Sequence, residues 1–192
     1  MHSLVNWACW GLVVALWIVG AFRLRKATSL RKPLGTGAMW RFGAVIVVWL
    51  IYIVGRHEVN RAATHSSWVE IPGLMLLVAS TVFAIWARLS LGAMWSMSPN
   101  VLKSGHELRT DGPYGITRHP IYTGLLGMLL GTALFDGLGV WIALPIIGVV
   151  TFATRVPIEE RLMSETFPDE YRRYRRRVPQ LVPGLNWLTR SP

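Results

Sequence analysis

The chain has 192 residues, 52% of them hydrophobic, with 10 Trp, a mean hydropathy of +0.39 and a formal net charge of +10. Only 16% is charged, against about 25% in a typical soluble domain, which excludes an ordinary water-soluble globule and reads as one all-α integral membrane domain over 1–192. The basic residues lie between apolar segments and not on one soluble face, so the excess charge reflects topology and attraction to anionic lipid, not nucleic acid.

The first apolar segment, about Leu4–Phe22, carries Trp7, Trp10 and Trp17 and is long enough to cross roughly 30 Å of hydrocarbon. It lacks a basic leader and a small-residue cleavage site, so it is expected to be a retained helix and not a signal peptide. Cys9, the single cysteine, falls inside it, which rules out an intrachain disulfide and a cysteine-based zinc site. A basic loop with Arg23, Arg25, Lys26, Arg31 and Lys32 leads to the second segment, about Met39–Val54. The loop after it holds Arg56, His57, Glu58, Arg61 and His65; its histidines read as loop residues, since no ligand set at helical spacing supports a metal. The third segment is about Trp68–Ala87, followed by the longest polar connection, Arg88–His119. The organisation expected is three N-terminal membrane helices in 1–87 and a functional core in 88–192.

A turn-rich approach, Asp111-Gly112-Pro113, delivers Tyr114, Arg118 and His119 to the mouth of the fourth segment, about Pro120–Phe135. Pro120 suits a first helical turn, where the N–H it lacks has no partner anyway. Ionisable groups at the edge of a membrane helix are costly unless they face a cavity or a partner, so they raise a functional hypothesis. Gly124, Gly127 and Gly131 are spaced for close helix packing. Only Asp136-Gly137-Leu138-Gly139 separates this segment from the fifth, about Val140–Thr154, so the two form an antiparallel hairpin, with a kink expected at Pro145 and a disturbance at Pro157. The tail, Arg155–Pro192, is basic and amphipathic, with Tyr171-Arg172-Arg173-Tyr174-Arg175-Arg176-Arg177.

Five spans place alternate loops on opposite sides of the bilayer. Seventeen of the 20 Lys and Arg fall in the first loop, the Arg88–Arg118 connection and the tail. The positive-inside rule therefore puts the N-terminus outside and both the Arg118–His119 stretch and the tail in the cytoplasm; if the source is a prokaryote, the membrane expected is the plasma (inner) membrane.

The hairpin returns the end of segment five to the membrane face where segment four began. Arg118, His119 and Tyr122 thereby approach Arg155, Glu159 and Glu160, and Arg155 and Glu159 share a face at i, i+4 if the helix runs through Pro157. Such a corner suits a polar cytosolic cofactor that meets a lipophilic substrate from the bilayer. Plainer readings exist for each part. Arg118 and Arg155 serve as positive-inside residues, His119 as a structural group, the two glutamates as partners of nearby arginines on a solvated face, and the tail as an interfacial anchor on anionic lipid.

Taken together, these residues resemble the isoprenylcysteine carboxyl methyltransferases and their prokaryotic relatives. The pattern is His106-Glu107-Leu108-Arg109-Thr110-Asp111-Gly112-Pro113-Tyr114, then Arg118-His119-Pro120-Ile121-Tyr122-Thr123-Gly124. Arg155 with Glu159-Glu160 follows, then Phe167, Tyr171, Tyr174 and Val178, so the likeness covers about Lys103–Pro183. Arg109 stands where relatives usually carry an apolar residue, and Pro168 replaces a common glycine. The resemblance implies a helical bundle with S-adenosylmethionine at its cytoplasmic end. His106, Glu107, Leu108, Arg109, Tyr114, His119, Pro120, Ile121 and Tyr122 would line the cofactor pocket. Glu159 would hold a polar part of the cofactor, with Glu160 included because the acidic pair aligns in two registers. Arg155 would face the substrate carboxylate, which makes Arg155 and Glu159 the expected catalytic pair. The implied activity is methyl transfer to a lipophilic acceptor, an isoprenylcysteine-like carboxylate. No nucleic acid, metal or obligatory protein partner is expected. The competing readings are an NADPH-dependent membrane reductase of the sterol-reductase type and a non-catalytic membrane protein that binds lipid or a partner.

Overall fold

The computed structural model describes residues 2–27, 66–92 and 108–184. Among the described residues the regular elements are all helical: α1 (His2–Ala27), α2 (Ser67–Leu91), α3 (Pro120–Phe135), α4 (Ala143–Thr166) and α5 (Pro168–Arg177). Short 3-10 turns cover Gly112–Gly115 and Gly139–Ile142. The expected second span, the loop holding His57 and His65, and the stretch with His106 and Glu107 lie outside the described residues.

An antiparallel pair, α2 and α3, forms the centre, and small residues let the two backbones approach. A Cβ on Gly124 would lie 2.7 Å from Ala84 Cβ and 2.9 Å from its backbone. One on Gly131 would lie 2.6 Å from the Leu77 backbone, and one on Gly73 2.6 Å from that of Phe135. The glycine spacing is therefore a packing seam, as its sequence suggested, and Ser80 faces Gly127 in the same row. Leu77, Ala84, Met128 and Phe135 fill the seam with Cys9 and Val13 of α1, so Cys9 is a packing residue.

α1 runs parallel to α2. Near its start, Asn6 donates to Asp136 at 2.7 Å and Trp10 to Thr132 at 3.1 Å, both at the C-terminal end of α3. Gly20, near its other end, packs on the Arg88 guanidinium at the opposite pole.

Of the described helices, Ser67–Leu91 is long and apolar enough to cross a membrane, and Leu4–Gly20 and Pro120–Phe135 are shorter apolar helices. At 1.5 Å per residue α2 is about 37 Å long, against roughly 30 Å of hydrocarbon. Its outer face shows Trp68, Ile71, Met75, Val82, Trp86 and Leu89, and that of α4 shows Ile146, Ile147, Val149 and Val150. Continuous apolar exposure on this scale suits lipid and not water.

The α3–α4 hairpin forms, with a longer turn than its sequence suggested. The 3-10 turn Gly139–Ile142 delays α4 to Ala143, and Gly137 takes a positive φ of 82°. Pro145 consequently falls in the first turn of α4, where proline is tolerated, so the kink expected there does not arise. α4 continues through Pro157 to Thr166, which keeps Arg155 and Glu159 on one helix four residues apart. Pro168, the departure from the glycine pattern, opens α5 at its first helical position.

Candidate active site

The first turn of α3, the last turns of α4 and the inner face of α5 converge on one corner. Pro113 and Tyr114 are buried, and the 3-10 turn they form brings the chain to Thr117 and Arg118. Two backbone bonds then pin the entry to α3: Arg118 N–H donates to Pro179 O at 2.8 Å and His119 N–H to Gln180 O at 3.1 Å. Thr123 Oγ1 donates to Leu181 O at 2.6 Å. The segment after α5 is thus a strap across the mouth of α3.

Arg118 is 4% exposed and its donors reach three acceptors. Nε donates to Glu160 Oε1 at 2.8 Å, with Nη2 2.7 Å from the same oxygen. Nη1 donates to Val178 O at 2.6 Å and to Arg175 O at 3.3 Å. Glu160 is accordingly a buried, structurally committed carboxylate, and the plain pairing reading fits it in a buried setting. Glu159, on the next position, has 23% side-chain exposure against 10% for Glu160. One of its oxygens accepts from the Tyr122 hydroxyl and the other lies 3.5 Å from His119 Nδ1. Glu159 is the more open carboxylate of the pair.

His119 sits between the two glutamates, with Nε2 3.4 Å from Glu160 Oε1. Its ring stacks on Tyr122 at 5.7 Å, and Tyr122 stacks in turn on Phe152 of α4 at 4.4 Å. Burial alone would lower the imidazole pKa, but the two carboxylates outweigh it and hold it above the ordinary value. For Glu160 burial works upward, yet His119 and Arg118 prevail and hold the carboxyl at about 2. Burial and then the neighbouring Tyr174 and Glu159 push the Tyr114 phenol far up, so it stays protonated.

The remaining expected residues divide. Arg155 is half-buried and close enough to act electrostatically on Tyr122. Pro120 is fully buried and serves to start α3, with Ile121 half-buried beside it. Arg109 is tied to the end of α2, donating to Ser90 O at 3.1 Å, with Asp111 at 3.4 Å. Leu108 packs on the Tyr171, Tyr174 and Val178 cluster. It also lines a cleft of about 470 Å³ with Thr110, Glu170, Arg173 and Arg177, on the outer side of Tyr174.

Several participants were not among the site residues expected from the sequence. Arg118 was brought to this corner by the hairpin, but its commitment to Glu160 was not legible. Tyr171 and Tyr174 face the protein and not lipid: both are buried, and Tyr174 donates to Tyr114 O at 2.6 Å. The signal was available, since 171, 174 and 178 recur at helical spacing between arginines.

Comparison with known proteins assigns this architecture. The family model described as phospholipid methyltransferase matches residues 68–170, more than half of the chain and all of the α2–α4 frame. The chain belongs to the phospholipid methyltransferase family. It is 30% identical over 122 residues to protein-S-isoprenylcysteine O-methyltransferase B of Arabidopsis thaliana, covering 62% of this chain and 61% of that protein. It is 26% identical over 170 residues to the nickel-cobalt-cadmium resistance protein NccN of Alcaligenes xylosoxydans xylosoxydans, covering 85% and 74% respectively. The fold matches that of the eukaryotic intramembrane Ras methyltransferase, an isoprenylcysteine carboxyl methyltransferase, with a TM-score of 0.63 at 19% identity over 95% of this chain and 68% of that one. The motif resemblance to the isoprenylcysteine methyltransferases is thereby borne out. This family member spans about three fifths of the length of the Arabidopsis relative.

Proposed function

We propose that this protein is a membrane methyltransferase that uses S-adenosylmethionine and methylates a lipophilic acceptor at the cytoplasmic face. The acceptor favoured is the carboxylate of an isoprenylcysteine-like compound, by analogy with the plant relative. The observation that carries the reading is Glu159, a half-open carboxylate held between Tyr122 and His119 at the lipid-adjacent end of the α3–α4 hairpin.

The residues present fit such a cofactor. A sulfonium and an α-ammonium are both cationic, and the corner offers a carboxylate with the stacked faces of Tyr122 and Phe152 beside it. When bound, S-adenosylmethionine supplies an electrophilic methyl group for in-line displacement. A carboxylate acceptor is already ionised near neutral pH, so the protein has no strong base to provide. Its contribution is alignment in a site with little water. Glu159 and Tyr122 would orient the cationic end, and Tyr114 and the 3-10 turn would support the pocket wall. Arg155, four residues before Glu159 on α4, would grip the acceptor carboxylate with its planar fork.

Calorimetric titration of detergent-purified protein with S-adenosylhomocysteine, with NADPH in parallel, tests the class. Micromolar binding of the first alone is expected. Binding of NADPH alone would move the protein to the reductases, and binding of neither would overturn the cofactor assignment.

A further inference from the structure

His119 meets a carboxylate on each of its ring nitrogens, Glu159 at 3.5 Å from Nδ1 and Glu160 at 3.4 Å from Nε2. A neutral imidazole carries one N–H and one lone pair. In this position it would turn the lone pair toward an anionic oxygen, whereas the imidazolium is attracted to both carboxylates. The ring is stacked on Tyr122, and the backbone that carries it is held by Gln180 O.

The groups around it come from four elements. Glu159 and Glu160 face it from α4, and Tyr122 stacks on it from its own helix. Arg118 covers Glu160 from the α3 entry, and Arg175 of α5 stands 3.8 Å from the same carboxylate at the rim. Tyr171 of α5 and Tyr114 of the 3-10 turn act on the glutamates electrostatically, and Arg155 acts on Tyr122. The inner cluster of Arg118, His119, Glu159 and Glu160 is balanced, two positive charges against two negative.

A cationic ligand on Glu159 would upset that balance where little water remains to screen it. Arg118 cannot give up a proton, and the tyrosines already carry theirs. We propose that His119 is an exchangeable cation: it holds Glu159 while the site is empty and releases one proton to solvent when a cationic ligand arrives. The N–H bond at Nδ1 breaks, its electron pair stays on the nitrogen, and the ligand takes over the contact with Glu159. The inference rests on the S-adenosylmethionine reading and gives His119 a part in specificity. A sulfonium donor brings surplus charge that triggers the exchange, while the uncharged thioether left after transfer does not.

The test is calorimetry on the full-length protein in detergent with sinefungin, whose amine stands where the sulfonium would be, and with S-adenosylhomocysteine. Each titration is run in two buffers of different ionisation enthalpy and repeated between pH 6 and 8. About one proton released per sinefungin is expected, with the Kd falling up to about tenfold per pH unit as His119 deprotonates. His119→Gln should abolish the release and flatten the pH profile. Release of the same proton with S-adenosylhomocysteine would overturn the sulfonium trigger and the part in specificity given to His119. Sinefungin binding without proton release, or release that persists in His119→Gln, would overturn the inference and leave the cofactor reading standing. If His119→Gln does not fold, the proton count and the pH slope of the native protein decide alone. Failure of both ligands to bind would instead refute the cofactor reading itself.

Discussion

Arg118 and Glu160 lie 42 residues apart in the sequence and meet at 2.8 Å, both buried. The contact joins the entry of α3 to α4, and the same guanidinium holds the strap through Val178 O. Removing one partner of such a pair leaves an uncompensated buried charge, which typically costs about 3–5 kcal/mol. Arg118→Ala should therefore lower the thermal midpoint in detergent by many degrees. Arg118→Lys should recover only part of it, because a point charge cannot replace a fork that serves a carboxylate and a carbonyl together. An Arg118→Ala midpoint equal to that of the native protein would refute the structural role.

The two carboxylates should separate cleanly in binding. Glu159→Ala should weaken sinefungin binding at least tenfold while leaving the fold intact, since Glu159 is the more open of the pair and its loss frees only a hydroxyl and an imidazole. Arg155→Ala should bind the same ligand nearly normally and instead lose turnover of carboxylate acceptors. Titration of both variants, followed by a methyl-transfer assay on prenylcysteine analogues, checks this. The reverse pattern would exchange the two roles.

Much of this frame was legible in the chain. The hairpin followed from a short link, and the glycine seam from a spacing of three and four residues, because backbone approach demands small side chains whatever surrounds them. Convergence of Arg118 and His119 with the acidic pair followed from that hairpin. The division of labour inside the acidic pair was not legible, because neighbouring glutamates on a helix differ only in which way each side chain faces. The Pro145 kink failed because its effect depends on where the helix starts, and the 3-10 turn before Ala143 moved that start. The plainer reading of Tyr171 and Tyr174 as lipid anchors failed because Leu108, Met163 and Phe167, which pack against them, come from other parts of the chain.

The seam makes a graded prediction. At Gly131 an added methyl would meet backbone atoms of Leu77 and Gly73, at 2.6 and 3.0 Å, which cannot rotate away. At Gly11 of α1 there is nothing within 4 Å. Gly131→Ala should be strongly destabilising, by roughly 1–3 kcal/mol as an overpacked contact. Gly11→Ala should be neutral or slightly stabilising, because alanine favours a helix over glycine by about 1 kcal/mol. Unfolding in detergent measured for both variants tests the contrast, and equal effects would argue against the helix pairing described.

Acid should weaken the protein in a defined window. Glu160 has a folded pKa of about 2 against an ordinary value of 4.5, so the folded state favours its ionised form. Its contribution to stability is present in full above the ordinary carboxylate range and is lost as the pH falls from about 4.5 towards 2. Glu160→Gln should be less stable at neutral pH and should show a shallower loss across that window. A variant whose acid profile parallels the native one would mean that Glu160 does not titrate as described.

The strap offers the last test, because it links a distant part of the chain to the site without a charged contact of its own. Carbonyls of Val178, Pro179, Gln180 and Leu181 receive Arg118, His119 and Thr123. Ending the chain after Arg177 removes all four acceptors while α5 keeps its helix. The buried N–H groups of Arg118 and His119 would then lack partners, at about 1–3 kcal/mol for each unsatisfied group. The α2–α3 seam is held by its own small-residue contacts, so the truncated protein should keep its helix content by circular dichroism and lose S-adenosylhomocysteine binding. Tyr174→Phe, which deletes the single bond to Tyr114 O, should weaken binding far less. Retained binding in the truncated chain would show that the entry to α3 is ordered by Glu160 alone.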